Sequence, residues 1–218
     1  MKLQVFPRVS LAMITILLLT ACQIQNWKGA SVGSFQDAAI ERHPELASLP
    51  LYIPKYLSEG PLPSERFLLP SPHKIIDALK SKIKTQNGIG IFQVMESAPE
   101  TGIFSSLRLE ELEASGLRKA WAVFSISVQL LIPFYDDSLG YNVTYELFID
   151  AKLKNRYQYS IRGKQLAWFA IALVVPFKSS DWEIMNIEYG SVSDRLLEEL
   201  LSTSRLFVED ARRDGFLR

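Results

Sequence analysis

Histidine, cysteine and unbalanced charge are what this 218-residue sequence has least of. A single cysteine, Cys22, excludes an intramolecular disulfide framework and a zinc site built on a cysteine cluster. The two histidines, His43 and His73, belong to no H-E-x-x-H or H-x-H pattern, which leaves little for metal or acid–base chemistry. The 24 Lys+Arg balance the 24 Asp+Glu, so no global basic field draws nucleic acid, and no nucleic-acid partner is expected. There is no Walker A loop, no G-x-G-x-x-G fingerprint and no G-x-S-x-G elbow. Internal repeats, heptads and low-complexity tracts are missing too. A 22% charged fraction beside 48% hydrophobic residues is globular rather than disordered.

What is present is concentrated at the start. Lys2 and Arg8 form a short positive region, and residues 9–19 are an apolar stretch of signal-peptide length, too short for a comfortable membrane span. The stretch ends in Leu19-Thr20-Ala21-Cys22, which resembles the lipobox of bacterial lipoproteins. The resemblance implies a lipoprotein signal peptide over residues 1–21. Leu19 would fill an apolar subsite of the signal peptidase, with the small Thr20 and Ala21 beside it. Cys22 would carry the diacylglycerol on its thiol and a further acyl chain on its freed amine, and two or more chains anchor stably where one does not. Gln23 follows the cysteine in place of the aspartate linked to inner-membrane retention, so the family rule favours the outer membrane over the inner. The implied partner is membrane lipid through acylated Cys22.

Residues 22–70 read as a lipid-anchored tether and proline-rich arm, and residues 71–218 as a single α+β domain. Residues 23–33 have little periodicity and suit a spacer. Ser34 caps an expected short helix over 35–43. Seven of the eleven prolines lie between Pro44 and Pro72, which forbids a long helix. The apolar residues that punctuate this arm (Leu49, Leu51, Ile53 and others) predict that it lies against the domain.

Ser71-Pro72 opens a helix whose Ile75, Ile76, Leu79 and Ile83 share one face, with Asn87-Gly88 as its stop. Residues 89–95 read as a strand and 105–115 as a short helix closed by Gly116. Residues 120–133 alternate, with Ala122, Phe124, Ile126, Val128, Leu130 and Ile132 on one face, and predict a strand. Residues 136–140 read as a turn, and 141–150 and 153–162 as the next two strands of an antiparallel meander. Residues 183–189 suggest another strand. Ser191 or Ser193 then caps a long terminal helix with Leu196, Leu197, Leu200, Leu201, Phe207 and Val208 toward the core. The expectation is an antiparallel sheet of about four to five strands with helices covering one face.

The twelve residues 166–177, LAWFAIALVVPF, carry no charge and lie between basic residues. A segment of that length is a buried element or an interfacial one. In the interfacial reading Trp168, Phe169, Phe177 and Trp182 contact the membrane among lipid headgroups. In the other reading the run is core, and of the two the core is preferred. A polar hairpin followed by such a run also resembles uncharacterised bacterial lipoproteins, a resemblance that implies no activity.

No catalytic motif survives inspection. Ser71-Pro72-His73-Lys74 and Ser81-Lys82-Ile83-Lys84 match S-x-x-K, but the S-D-N and K-T-G partners of penicillin-recognising enzymes are missing. Asp136-Asp137 reads as a turn, and Glu110, Glu111 and Glu113 as a solvated face. Tyr141, Tyr145, Tyr157 and Tyr159 share one sheet face, either as a binding platform or, more ordinarily, packed under a helix. The sequence therefore points to a non-enzymatic envelope lipoprotein acting by protein or lipid contacts, with an envelope protein as possible partner and with no cofactor or metal. A lipid-anchored hydrolase acting on cell-wall or lipid substrates is the alternative.

Overall fold

The computed structural model describes residues 22–29, 49–53, 70–85, 92–113, 115–128, 131–168, 170–171, 181–186 and 192–217. The strands are β1 (Cys22–Lys28), β2 (Leu49–Tyr52), β3 (Phe92–Met95), β4 (Ile103–Glu111), β5 (Phe134–Ile149), β6 (Lys152–Trp168) and β7 (Glu183–Asn186). The helices are α1 (Pro72–Thr85), α2 (Gly116–Ser127) and α3 (Asp194–Arg213). The chain is α+β, but among the described residues its sheet has seven strands, in the order β3-β2-β4-β5-β6-β1-β7, rather than about four or five. It is also mixed, because β2 runs parallel to both β3 and β4 while the other pairs are antiparallel.

The long β5–β6 hairpin is the centre of the sheet. Its alternation puts Leu139, Tyr141, Val143, Tyr145, Leu147, Tyr157 and Ile161 on one buried face, as expected of a half-buried strand pair. Asp150 and Ala151, both at positive φ, make the two-residue turn whose twist matches the flanking strands. Helix α3 covers this face with Leu196, Leu197, Leu200, Leu201, Phe207 and Val208, and α1 covers it with Ile75, Ile76 and Leu79. Burying each such aliphatic or aromatic side chain contributes roughly 1.5–3 kcal/mol. Ser193 caps α3, its Oγ accepting from the Leu196 N–H at 3.2 Å, and Gly215 at φ +79° closes it in a Schellman arrangement. Ser71 caps α1 in the same way, accepting from the Lys74 N–H at 3.5 Å.

Several expectations are corrected. Residues 120–133 are not a strand: α2 occupies Gly116–Ser127. Its start is capped by Ser115, whose Oγ accepts from the Arg118 N–H at 3.4 Å. Residues 105–115 are not a helix either, since 105–111 belong to β4, paired along its length with β5. The expected turn at 136–140 is an irregularity inside β5, where the register with β6 shifts between Asp136 and Leu139.

The expected spacer begins with a strand. β1 lies between β6 and β7, and Gln23, Ile24, Gln25, Asn26 and Trp27 are all buried. Trp27 stacks on Tyr141, and across the register Gly163 leaves room for it: a Cβ there would meet the indole at 2.6 Å. Part of the proline-rich arm is likewise inside the sheet as β2. Pro50 is accommodated because β4 pairs only with Leu51 and Tyr52, so at Pro50 only β3 lies alongside. Ile53, just beyond β2, is buried in the core, while the short helix expected over 35–43 and residues 54–69 of the arm lie outside the described residues.

Candidate membrane-proximal surface

The register of three strands brings together the end of the sheet where β1 starts. Cys22 is opposite Trp168 on β6 and Asn186 on β7, and Ala167 beside it is opposite Phe134, the first residue of β5. The residue expected to carry lipid therefore opens an interior strand, level with one of the tryptophans expected at the membrane. Trp168 is half-buried and its Nε1 donates to the Leu131 carbonyl at 3.3 Å. Trp182 is also half-buried but precedes β7 at the level of Asn26, so it is displaced along the sheet from Cys22. Phe169 and Phe177 lie outside the described residues. Of the apolar run 166–177, Ala167, Ala170 and Ile171 are buried.

Behind this end the interior is polar. Gln165 Nε2 donates to Gln23 Oε1 at 2.8 Å, and Trp27 Nε1 donates to Gln25 Oε1 at 3.1 Å. Gln25 is 1% exposed, and its Nε2 has no hydrogen-bond partner among the described residues. The same end carries α2, which connects β4 to β5. Arg118 reaches from the helix to the β5 irregularity, with Nη1 at 3.0 Å from Asp136 Oδ1 and 2.6 Å from Asp137 Oδ1. Buried Asp136 also accepts from the Ser138 N–H at 2.8 Å and its hydroxyl at 2.7 Å. Hydrogen bonding to Arg118 holds the Asp137 carboxyl below the usual range, and the two aspartates raise the guanidinium above its own.

That contact fixes which way α2 faces. Arg118, Ala122 and Ser125, spaced i, i+4, i+7, turn toward the sheet, with Ser125 fully buried. Leu117, Trp121 and Phe124, one position earlier in the same spacing, turn outward at 83%, 44% and 48% exposure. The Trp121 and Phe124 rings lie 5.7 Å apart. Leu131 and Ile132, between α2 and β5, and Tyr135, near the start of β5, are also exposed apolar residues.

The other sequence candidates are placed elsewhere. Ser71 is engaged as a helix cap, and exposed His73 lies 3.3 Å from Asp77 on the next turn of α1. His43 lies outside the described residues. The four tyrosines do share the helix-covered face and are packed, not displayed. Tyr141 donates to the Pro70 carbonyl, Tyr145 is 2.7 Å from Ser204 Oγ, Tyr157 donates to Asp214 and Tyr159 to Asp210. Burial raises the pKa of Tyr145, against the opposing effect of Ser204 and Thr203; Tyr157 and Tyr159 are raised by burial and by their carboxylate partners. On α3, burial also raises the Glu199 carboxyl, opposed by its bond from the Gly29 N–H at 2.8 Å.

Among the described residues no three His, Cys, Asp or Glu are grouped to hold a metal ion, and no helix is long and apolar enough to cross a membrane. Compared with protein-family models, curated proteins and solved structures, the chain matches none of them. Sequence reasoning passed over Leu117, Arg118 and Trp121 and named Phe124 only on the apolar face of the expected strand. Reading residues 115–127 at helical spacing, from the serine cap onward, would have found them.

Proposed function

We propose that the protein is a lipid-anchored bacterial envelope lipoprotein, tied to the outer membrane through acylated Cys22 and working by protein or lipid contacts rather than by catalysis. The observation that carries this reading is the ordered series of basic region, apolar stretch and Leu19-Thr20-Ala21-Cys22. Removal of residues 1–21 takes Lys2 and Arg8 with it and leaves a slight acidic excess on the mature chain.

Expression of the full chain with labelled palmitate in a bacterium that makes lipoproteins tests it. The wild-type chain is expected to take up label and to shorten by its first 21 residues. Cys22→Ser is expected to take up none and to accumulate at full length. Uptake by Cys22→Ser, or cleavage at another position, would sink the proposal.

A further inference from the structure

We propose that the outward face of α2, formed by Leu117, Trp121 and Phe124, lies on the lipid surface as a second membrane contact beside the anchor. This rests on the lipid-anchor reading of Cys22. The first argument is length. No spacer separates Cys22 from the fold, because the residue is itself the first of a strand hydrogen-bonded on both sides. Acyl chains on Cys22 therefore hold this end of the sheet at headgroup level, and whatever that end exposes is held there with it.

The second argument is what that end exposes. α2 is inverted relative to an ordinary surface helix: Arg118 and Ser125 face the protein, and Leu117, Trp121, Val123 and Phe124 face out. The Arg118 bonds to Asp136 and Asp137, with the cap from Ser115, hold that orientation from the polar side. Trp121 on α2, Tyr135 at the start of β5 and Trp168 at the end of β6 are amphipathic ring types enriched at membrane interfaces. Twelve residues of helix, about 18 Å long, suit a segment lying in the interface plane rather than crossing it. Trp168 and Leu131 are linked by a hydrogen bond, so the α2 surface continues to the strand end opposite Cys22. The opposite end of the hairpin, at Leu153, is displaced from Trp168 by fifteen residues of strand, roughly 50 Å.

The single cysteine makes the test clean, because acylation consumes its thiol and an introduced cysteine becomes the one reactive site. Leu117→Cys, Phe124→Cys and Leu153→Cys proteins, purified from membranes as mature lipoproteins, are labelled with an environment-sensitive fluorophore. They are then reconstituted into phosphatidylethanolamine–phosphatidylglycerol vesicles whose acyl chains are brominated. We expect labels at 117 and 124 to lose roughly half their emission to the bromolipid, and the label at 153 to lose less than about a tenth, since interfacial helices bury one face only. Equal quenching at all three positions in protein that floats with the vesicles would overturn the inference and leave the anchor standing. Shielding at 117 that follows protein concentration and ignores bromine would assign the face to a second copy of the chain and overturn it as well. Uptake of label by Cys22 in the otherwise unaltered mature protein would overturn the anchor, and the inference with it.

Discussion

Helices α2 and α3 are both amphipathic, and they face opposite ways. α3 turns Leu196, Leu197, Leu200, Leu201, Phe207 and Val208 onto the sheet and leaves Glu198, Arg205 and Arg213 to solvent. α2 turns Arg118 and Ser125 inward and leaves Leu117, Trp121 and Phe124 outside. The difference teaches that helical periodicity identifies two faces without saying which is buried. On α3 the hydrophobic effect decides. On α2 one guanidinium held by two aspartates, with small residues at Ala122 and Ser125 that let the helix approach, decides instead.

The largest expected contrast is between the two phenylalanines. Phe207 is fully buried and stacks on Tyr145 at 4.7 Å, so Phe207→Ala is expected to cost about 3–5 kcal/mol in urea unfolding. Phe124→Ala, on the outward face of α2, is expected to stay within about 0.5 kcal/mol in the same measurement. Similar costs at both positions would break the comparison, because Phe124 would then have to be packed against the fold.

A smaller effect is expected at the residue that orients α2. Asp136→Ala removes the one oxygen that accepts from Arg118 and from both donors of Ser138, and a cost of about 1–3 kcal/mol is expected. Hydrogen exchange should localise the loss to α2 and the start of β5. An unchanged helix would show that the ion pair does not set its orientation.

The smallest effect concerns pH and belongs to α3. The phenols of Tyr145, Tyr157 and Tyr159 are raised in the folded state. The native protein therefore keeps protons that the unfolded chain releases above about pH 10, and stability falls as pH rises past that point. Below it these groups contribute no slope. Absorbance titration of the native protein should show these three tyrosines ionising late, together with unfolding. Ordinary titration of all eight tyrosines would contradict the packing of α3 on the sheet.

Legibility followed chemistry along the chain. α1, α3 and the β5–β6 hairpin were readable because their apolar periods match their burial, and Ser71 and Ser193 mark the helix starts. Residues 120–133 carry two periods at once: Phe124 belongs to an alternating apolar set and also to the i, i+4, i+7 set with Leu117 and Trp121. The alternation was longer and misled. Residues 105–115 failed for the converse reason, since Leu107, Leu109 and Leu112 among glutamates imitate a short amphipathic helix while the pairing partners on β5 lie thirty or more residues away. β1 was hidden by its own polarity. Gln23, Gln25 and Asn26 look like tether residues, yet Gln23 and Gln25 accept hydrogen bonds from Gln165 and Trp27, while Asn26 donates to the Asp181 carbonyl. Those contacts exist only once the sheet is assembled. The lipobox-like series that ends at Cys22 needs no structure to be read, whereas the outward turn of α2 cannot be read without one.

Mass analysis of the N-terminal peptide, taken from protein purified out of bacterial membranes, tests the central claim most directly. The account predicts a peptide that begins at Cys22 and carries a diacylglycerol thioether, with a further acyl chain on its amine. A peptide that begins elsewhere, or one whose Cys22 thiol is free, would contradict it.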